Sequence, residues 1–342
     1  MNRPLKRLGF LTIGLFDPAD PAAGHESTLQ IIELGEQLGF DSAWLRHRHL
    51  QYGISSPIAV MAAATQRTSR IELGTAVTPL GLENPFRLAE DLGTVDVLSA
   101  VNGVGRINPG VSVGIPMNYE ALKEHLYPDT HDVEDFTYAR VERLLHNLAG
   151  KPVSTFEGTR GVETFSRSIQ PHSPGLVDRV WYGGGSTRSV TWAAEHGLNL
   201  LTSSVIDAEG DDFATIQRTQ IDLFRSLHAE GEAARVSQGL VVIPTDSATP
   251  EQVAKYQTYA AARLPRTRQP QQLGPHKRAF FAPDIVGTSE QIAEQLVAHA
   301  GFQVVEEVAF ALPFSFEHAD YLQILTDMAT RLGPLLGWQP AG

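Results

Sequence analysis

RVWYGGGSTRSVTWAAEHGLNLL, residues Arg179 to Leu201, decides how this chain folds. It reads as a short apolar strand, three glycines, a polar turn and a helix ended by Gly197, the outline of a phosphate-binding βα turn. Two folds use such a turn. In a Rossmann unit it opens the domain and holds a dinucleotide; in a barrel it is one turn among eight and suits a mononucleotide or a phosphorylated substrate. The Rossmann fingerprint is defective here, because Gly183 and Gly185 supply its first two glycines but Arg188 stands where the third belongs. Asp207 lies near the position of a ribose-binding acid, yet several βα units precede the turn where a Rossmann unit has none.

Outward from that turn, strand-like runs alternate with helical patterns along the whole chain. Leu8 to Leu15 is a first strand, followed by an amphipathic helix stopped at Gly39. FDSAWLRH is a second strand, and Ser56 with Pro57 marks the start of the next helix as N-cap and first helical residue. RIELGTAVTPL is a third strand, with Asn84 and Pro85 repeating the same start signal; RINPGVSVG is a fourth. The quoted turn is the fifth unit, LNLLTSS the sixth strand, GLVVIP (239–244) the seventh and VEEVAFALPF the eighth, before a terminal helix from Glu317 to Leu336. Eight βα units without a linker predict a single (β/α)8 TIM barrel over residues 1–342, with the surplus length in loop insertions after strands 4 and 7, at 115–177 and 245–285.

Bulk composition narrows the function. The chain has 342 residues, 42% hydrophobic and 19% charged, enough for a sizeable core. A net charge of −12 argues against nucleic acid or an anionic membrane as partner, since both demand clustered cations. The absence of cysteine excludes disulfides and thiolate chemistry. The basic start MNRPLKR leads into an apolar run broken by Thr12 and Gly14, so it reads as a strand and not a signal peptide, and no uninterrupted apolar window of about 18 residues exists. A cytoplasmic enzyme acting on a small molecule is the expectation.

A barrel carries its chemistry at the C-terminal ends of its strands. RHRHL after the second strand is the most unusual group there. If the strand continued, His47 and His49 would share one face and Arg46 and Arg48 the other. A neutral histidine at the mouth can act as a general base, and a neighbouring guanidinium lowers its pKa or binds an anion; His47, Arg48 and His49 are therefore the catalytic candidates. No metal site is assigned, because two histidines lack an evident carboxylate partner. Asn108 and Ser112 end the fourth strand. The amides of Gly184 and Gly185, the hydroxyls of Ser186 and Thr187 and a helix N-terminus suit a phosphate. A basic island, Arg263, Arg266, Arg268, Lys277 and Arg278, lies in the second insertion and reads either as a solvated loop or as a lid over an anionic ligand.

Over nearly its whole length the chain resembles the bacterial luciferase-like flavin monooxygenases. The most specific match is RIELGTAVTPLGLENPFRLAEDLGTVDVLSAVNGVGRINPGVSVG, and the glycine turn and IVGTSEQIAEQL match two further blocks in the right order. The resemblance implies a barrel that takes reduced FMN from a separate flavin reductase and uses it with oxygen on a small organic substrate, and a homodimer. It places Thr75, Ala76 and Val77 beside the flavin ring, Ser112 near it, and Gly184, Gly185 and Ser186 at the phosphate. It also implies a cis peptide between Ala76 and Val77. Two alternatives remain: a deazaflavin-dependent hydride-transfer enzyme of the same fold, and a catalytically silent flavin-binding protein. Two positions depart from the family. Its catalytic histidine falls on Arg48, which cannot act as a base near neutral pH, and Val113 stands where luciferase has a phosphate-binding arginine, which leaves Arg188 or the basic island to substitute.

Overall fold

The computed structural model describes residues 4–115, 118–274 and 277–341; the side chain of Lys277, from the basic island, lies outside the described residues. Ten parallel strand segments form one sheet in the order Thr78–Pro79, Gly110–Ser112, Trp181–Gly184, Asn199–Thr202, Val236–Gln238, Glu307–Ala311, Arg7–Thr12, Ser42–Leu45, Glu72–Thr75 and Ile107–Asn108. The order begins and ends on the same two stretches of chain. Leu73 and Gly74 pair with Ile107 and Asn108, and a few residues on Thr78 and Pro79 pair with Val111 and Ser112. The third strand is interrupted at the peptide between Ala76 and Val77, which is cis as the resemblance implies, and the fourth at Pro109, which has no N–H to give the ladder. The ten segments are thus eight strands, and the sheet curls until its ends meet.

Local signals set most of the helices. Asn84 Oδ1 accepts from the amides of Phe86 and Arg87 and caps Pro85–Ser99. Ser56 and Pro57 open Pro57–Thr65 as expected, although the Ser56 side chain makes no capping bond. The first helix, Pro21–Gln37, starts earlier than its apolar stripe suggests because Asp20 caps it, and it ends before Gly39, whose φ of +87° is natural only to glycine. The terminal helix begins at His318 and runs through a π-helical turn at Met328–Leu332.

The seventh strand is not the apolar run. Val236–Gln238 takes its place in the ring, whereas Val241–Pro244 pairs in parallel with Asp284–Gly287 outside it. The ring segment is polar and partly bonded inside the protein: Gln238 Nε2 donates to Gln217 Oε1, and Gln217 Nε2 donates to Thr202 Oγ1, while Ser237 Oγ and Gln238 Oε1 are buried without a partner among the described residues. A buried amide chain of this kind has no apolar signature in sequence.

The stretches expected as loop insertions carry elements of their own. Residues 115–177 hold the helices Tyr119–Leu126 and Tyr138–Leu148 and a hairpin of Gly158–Arg160 with Glu163–Phe165. Residues 245–285 hold the helix Pro250–Arg263 and the strands Gln271–Gly274 and Lys277–Phe281. Lys277–Phe281 also pairs antiparallel with Val205–Asp207, just beyond the sixth strand, which draws this region over the mouth of the ring.

The interior is layered. At the N-terminal ends of the strands Arg235 donates to Glu307 and to Glu72, and Arg7 pairs with Glu72, an ionic floor that ties the seventh strand to the third across the ring. Above it the rings of Trp44 and Trp181 meet edge to face at 5.4 Å, and the Arg235 guanidinium lies 4.7 Å from the Trp181 ring centre. Leu201 and Ala309 complete this layer, with Leu11, Ala76 and Val77 packed on it. Among the described residues no helix is long and apolar enough to cross a membrane.

Candidate functional site

A cavity of about 1120 Å³ opens above the tryptophan layer, larger than the roughly 300–1,000 Å³ usual for one small ligand. Its walls come from the C-terminal ends of the strands and from both long stretches. Of the residues singled out in sequence, His47, Arg48, Ala76, Val77, Ser112, Gly185 and Ser186 line it. His49, Thr75, Asn108, Gly184 and Thr187 do not.

Each of those five has another occupation or environment. Thr75 Oγ1 donates to the carbonyl of Gly110 and accepts from its amide, which sews the third strand to the fourth. Asn108 is fully buried, accepts from Trp181 Nε1 and donates to Glu72. Gly184 packs against Leu200 and Val190. Thr187 offers its amide and hydroxyl to the carboxylate of Glu209, so an anion of the protein itself already occupies that corner of the helix N-terminus. His49 stands behind His47, ring centres 4.7 Å apart.

The glycine turn meets the cavity through Gly183, Gly185 and Ser186. A Cβ on Gly183 would lie 2.9 Å from Val77 Cγ1, so a larger residue here would force the third-strand wall to shift. Ser186 and Ser189 form a reciprocal capping box, and Ser189 Oγ accepts from the amides of Gly185 and Ser186. Arg188, in the first turn of the helix, lines the same wall, its guanidinium 5.6 Å from the ring centre of Tyr138, which itself stacks on Trp192 at 4.3 Å. A serine hydroxyl and a guanidinium converge on this wall and fit the phosphate of a cofactor, with the Gly185 and Ser186 amides held by Ser189 Oγ.

Past Leu45 the second strand ends, so the alternation expected of Arg46 to His49 fails, and Arg46, His47 and Arg48 all face the cavity. His47 is 4% exposed. Burial, then the neighbouring His49 and Arg48, push its pKa down to about 4, against a smaller opposing pull from the Ser55 backbone. It is neutral at pH 7. Its Nε2 lies 3.7 Å from Glu83 Oε1, and apart from the pull of the Ser55 backbone neither ring nitrogen makes a well-aligned hydrogen bond among the described residues. Burial, reinforced by Asp91 and opposed by Arg140, pushes Glu83 up to about 7. At neutral pH the two are therefore a neutral imidazole facing a half-protonated carboxyl, not an ion pair.

Glu83 supplies the carboxylate that the sequence did not reveal. It follows a short turn after the third strand, just before the Asn84 cap, and nothing local marks it. His47, His49 and Glu83 bring one ligand atom each to within 4.8 Å of one another. Arg48 beside His47 and Arg140 beside Glu83 add positive charge at the same point, which works against a cation.

The description of one protein family matches residues 7–304: luciferase-like monooxygenase. The chain belongs to the luciferase-like monooxygenase family. Relatives of this luciferase-like chain carry different cofactors in their names. It is 23% identical over 223 residues to the alkanal monooxygenase alpha chain of Photobacterium phosphoreum, covering 64% of this chain and 59% of that one. It is 30% identical over 213 residues to an F420-dependent glucose-6-phosphate dehydrogenase of Intrasporangium calvum, covering 56% and 61%. The match thus spans about three fifths of these curated relatives' length. The oxygenating constituent of 3,6-diketocamphane monooxygenase from Pseudomonas putida, solved with FMN, shares the fold with a TM-score of 0.66 at 13% identity, covering 97% of this luciferase-like chain and 98% of that one.

Proposed function

We propose that the protein is a flavin-dependent oxidoreductase, a two-component monooxygenase that takes reduced FMN from a separate reductase and acts with oxygen on a small organic substrate. The observation that carries this reading is the single cavity wall on which Gly185, Ser186 and Arg188 meet, beside Ala76 and Val77 on the tryptophan layer, in a chain of this family. Gly185, Ser186 and Arg188 would hold the phosphate, and Ala76 and Val77 would carry the ring. Reduced flavin supplies the electrons and molecular oxygen the transferred atom. His47 presents a neutral imidazole to the cavity and accepts a hydrogen bond or a proton there, with Glu83 Oε1 3.7 Å from its Nε2 on the side away from the cavity lining. Arg48 serves as a cation and not as a base.

The rival within the family is a deazaflavin enzyme, favoured by the likeness to the F420-dependent dehydrogenase. A homodimer and a cytoplasmic location accompany the proposal as expectations. Anaerobic fluorescence titration with reduced FMN, oxidised FMN and reduced deazaflavin, followed by admission of oxygen, separates the readings. Tight binding of reduced FMN and oxygen uptake are expected; binding of the deazaflavin alone replaces the monooxygenase with hydride transfer, and binding of none removes both. His47→Ala should lose turnover and His49→Ala much less. Unchanged turnover in both disposes of the base.

A further inference from the structure

The cations of the cavity are unevenly spread around its mouth. Arg188 stands with the glycine turn on the fifth strand's side. Across from it are Arg46, at the end of the second strand, and Arg263, which shares the Phe314 ring with it; Arg266, from the same stretch after the seventh strand as Arg263, also lines the mouth. In the closed order the second and eighth strands flank the first, which lies opposite the fifth in a ring of eight. Arg46 and Arg263, both at the Phe314 ring, therefore face the glycine turn across the mouth, and Arg266 lies between them and the turn, over Phe281, whose strand pairs with Val205 beside Gly185.

Aromatic rings fix this cluster in place. The Arg46 guanidinium is 4.8 Å and the Arg263 guanidinium 5.6 Å from the ring centre of Phe314; Arg263 also lies 4.8 Å from the Tyr259 ring and Arg266 4.8 Å from the Phe281 ring. Compensating negative charge is short. Asp284, buried, accepts from Arg263 Nε at 2.5 Å and leaves the outer edge of that guanidinium toward the cavity. Arg46 and Arg48 have no carboxylate partner among the described residues, and the Nε atoms of Arg48 and Arg266 are buried without one. Asp207, the carboxylate that lines the cavity, belongs to the other wall, where its amide donates to Gly185. Burial first, then Arg48 and Arg263, push Arg46 down to about 10. Crowded, half-buried cations of this kind call for an anion. Between the cluster and the barrel floor the lining turns apolar, with Leu11, Ala309, Ala311 and Leu312.

We infer that this wall is a substrate subsite for a small organic acid, its carboxylate held by Arg46, Arg263 and Arg266 and its apolar body laid along Phe314 and the aliphatic lining. The inference rests on the reading that gives the glycine-turn wall to the cofactor, and the volume of about 1120 Å³ leaves room for both. Planar guanidiniums on ring faces suit a planar carboxylate.

The test is calorimetric titration at low salt with benzoate and octanoate, each against its primary amide, on the flavin-free protein and on protein saturated with FMN. The acids should bind about tenfold or more tightly than the amides, and Arg46→Gln and Arg266→Gln should each weaken them by about tenfold or more, while FMN affinity stays within about threefold of wild type. Acid binding should persist under saturating FMN. Acids that bind no better than amides, or equally well in both variants, overturn the subsite. Displacement of the acids by FMN, or a parallel loss of FMN affinity in the two variants, assigns the cluster to the cofactor's own anion and also overturns it. Failure of reduced FMN to bind under anaerobic conditions, with acid binding intact, refutes the cofactor reading alone, so the two failures are distinguishable.

Discussion

Replacing Glu83 by glutamine tests the charge state of the His47 and Glu83 pair. The Glu83 carboxyl titrates at about 7 in the folded protein against 4.5 ordinarily, because it is buried beside Asp91. Between those values the unfolded chain gives up its proton first, so folding stability falls as pH rises from 4.5 through 7. At about 1.36 kcal/mol per pH unit the full penalty is about 3 kcal/mol, and with the side chain 28% exposed about 2 kcal/mol is a sound expectation. His47 gives the opposite limb. Its pKa is depressed from 6.5 to about 4, so the unfolded chain binds the proton first and stability falls as pH drops from 6.5 through 4. Urea denaturation of wild type and Glu83→Gln at half-unit steps from pH 4.5 to 8.5, in the presence of a chelator, reads both limbs. The variant should gain about 2 kcal/mol at pH 8, gain nothing at pH 4.5, and keep the acid limb that belongs to His47. A variant less stable than wild type at pH 8 would show that the carboxylate is stabilised as an anion by a protonated His47 or by Arg140, and the neutral pair would be wrong.

Three further outcomes follow from contacts elsewhere. Asp96 is fully buried and accepts from the Ile107 amide, Ser173 Oγ and both Nη atoms of Arg179; Asp96→Asn should cost about 3 kcal/mol in urea denaturation, and a loss near zero would mean that water replaces those bonds. Gly183→Ala places a methyl against Val77 and should cost about 1–3 kcal/mol, checked by the same measurement; no loss would show that the third-strand wall yields freely. Glu209 holds Thr187 at the N-terminus of the helix beside the expected phosphate. Glu209→Gln removes a like charge and should tighten FMN binding about two- to fivefold in fluorescence titration, whereas weaker binding would mean that the carboxylate orders the turn for the cofactor.

What the chain determines locally was legible in its letters. Asn84 with Pro85, Pro57 at a helix start and Gly39 at a helix end act through hydrogen bonds, a fixed φ and backbone freedom within a few residues, so the βα units follow from sequence alone, whereas Gly183 answers to Val77 on another strand. The tertiary structure decided what depends on the ring. It chose Val236–Gln238 over the more apolar Val241–Pro244, because partners for Gln238 came from Gln217, far along the chain. It set Thr75 and Asn108 into the wall, turned Arg46 toward the same cavity as His47 once the strand ended at Leu45, and delivered Glu83 to His47. It also assembled the Arg7, Glu72, Arg235 and Glu307 floor from four separate strand starts. Charge and polarity at strand ends take their meaning from which strands become neighbours, and that is fixed only when the sheet closes.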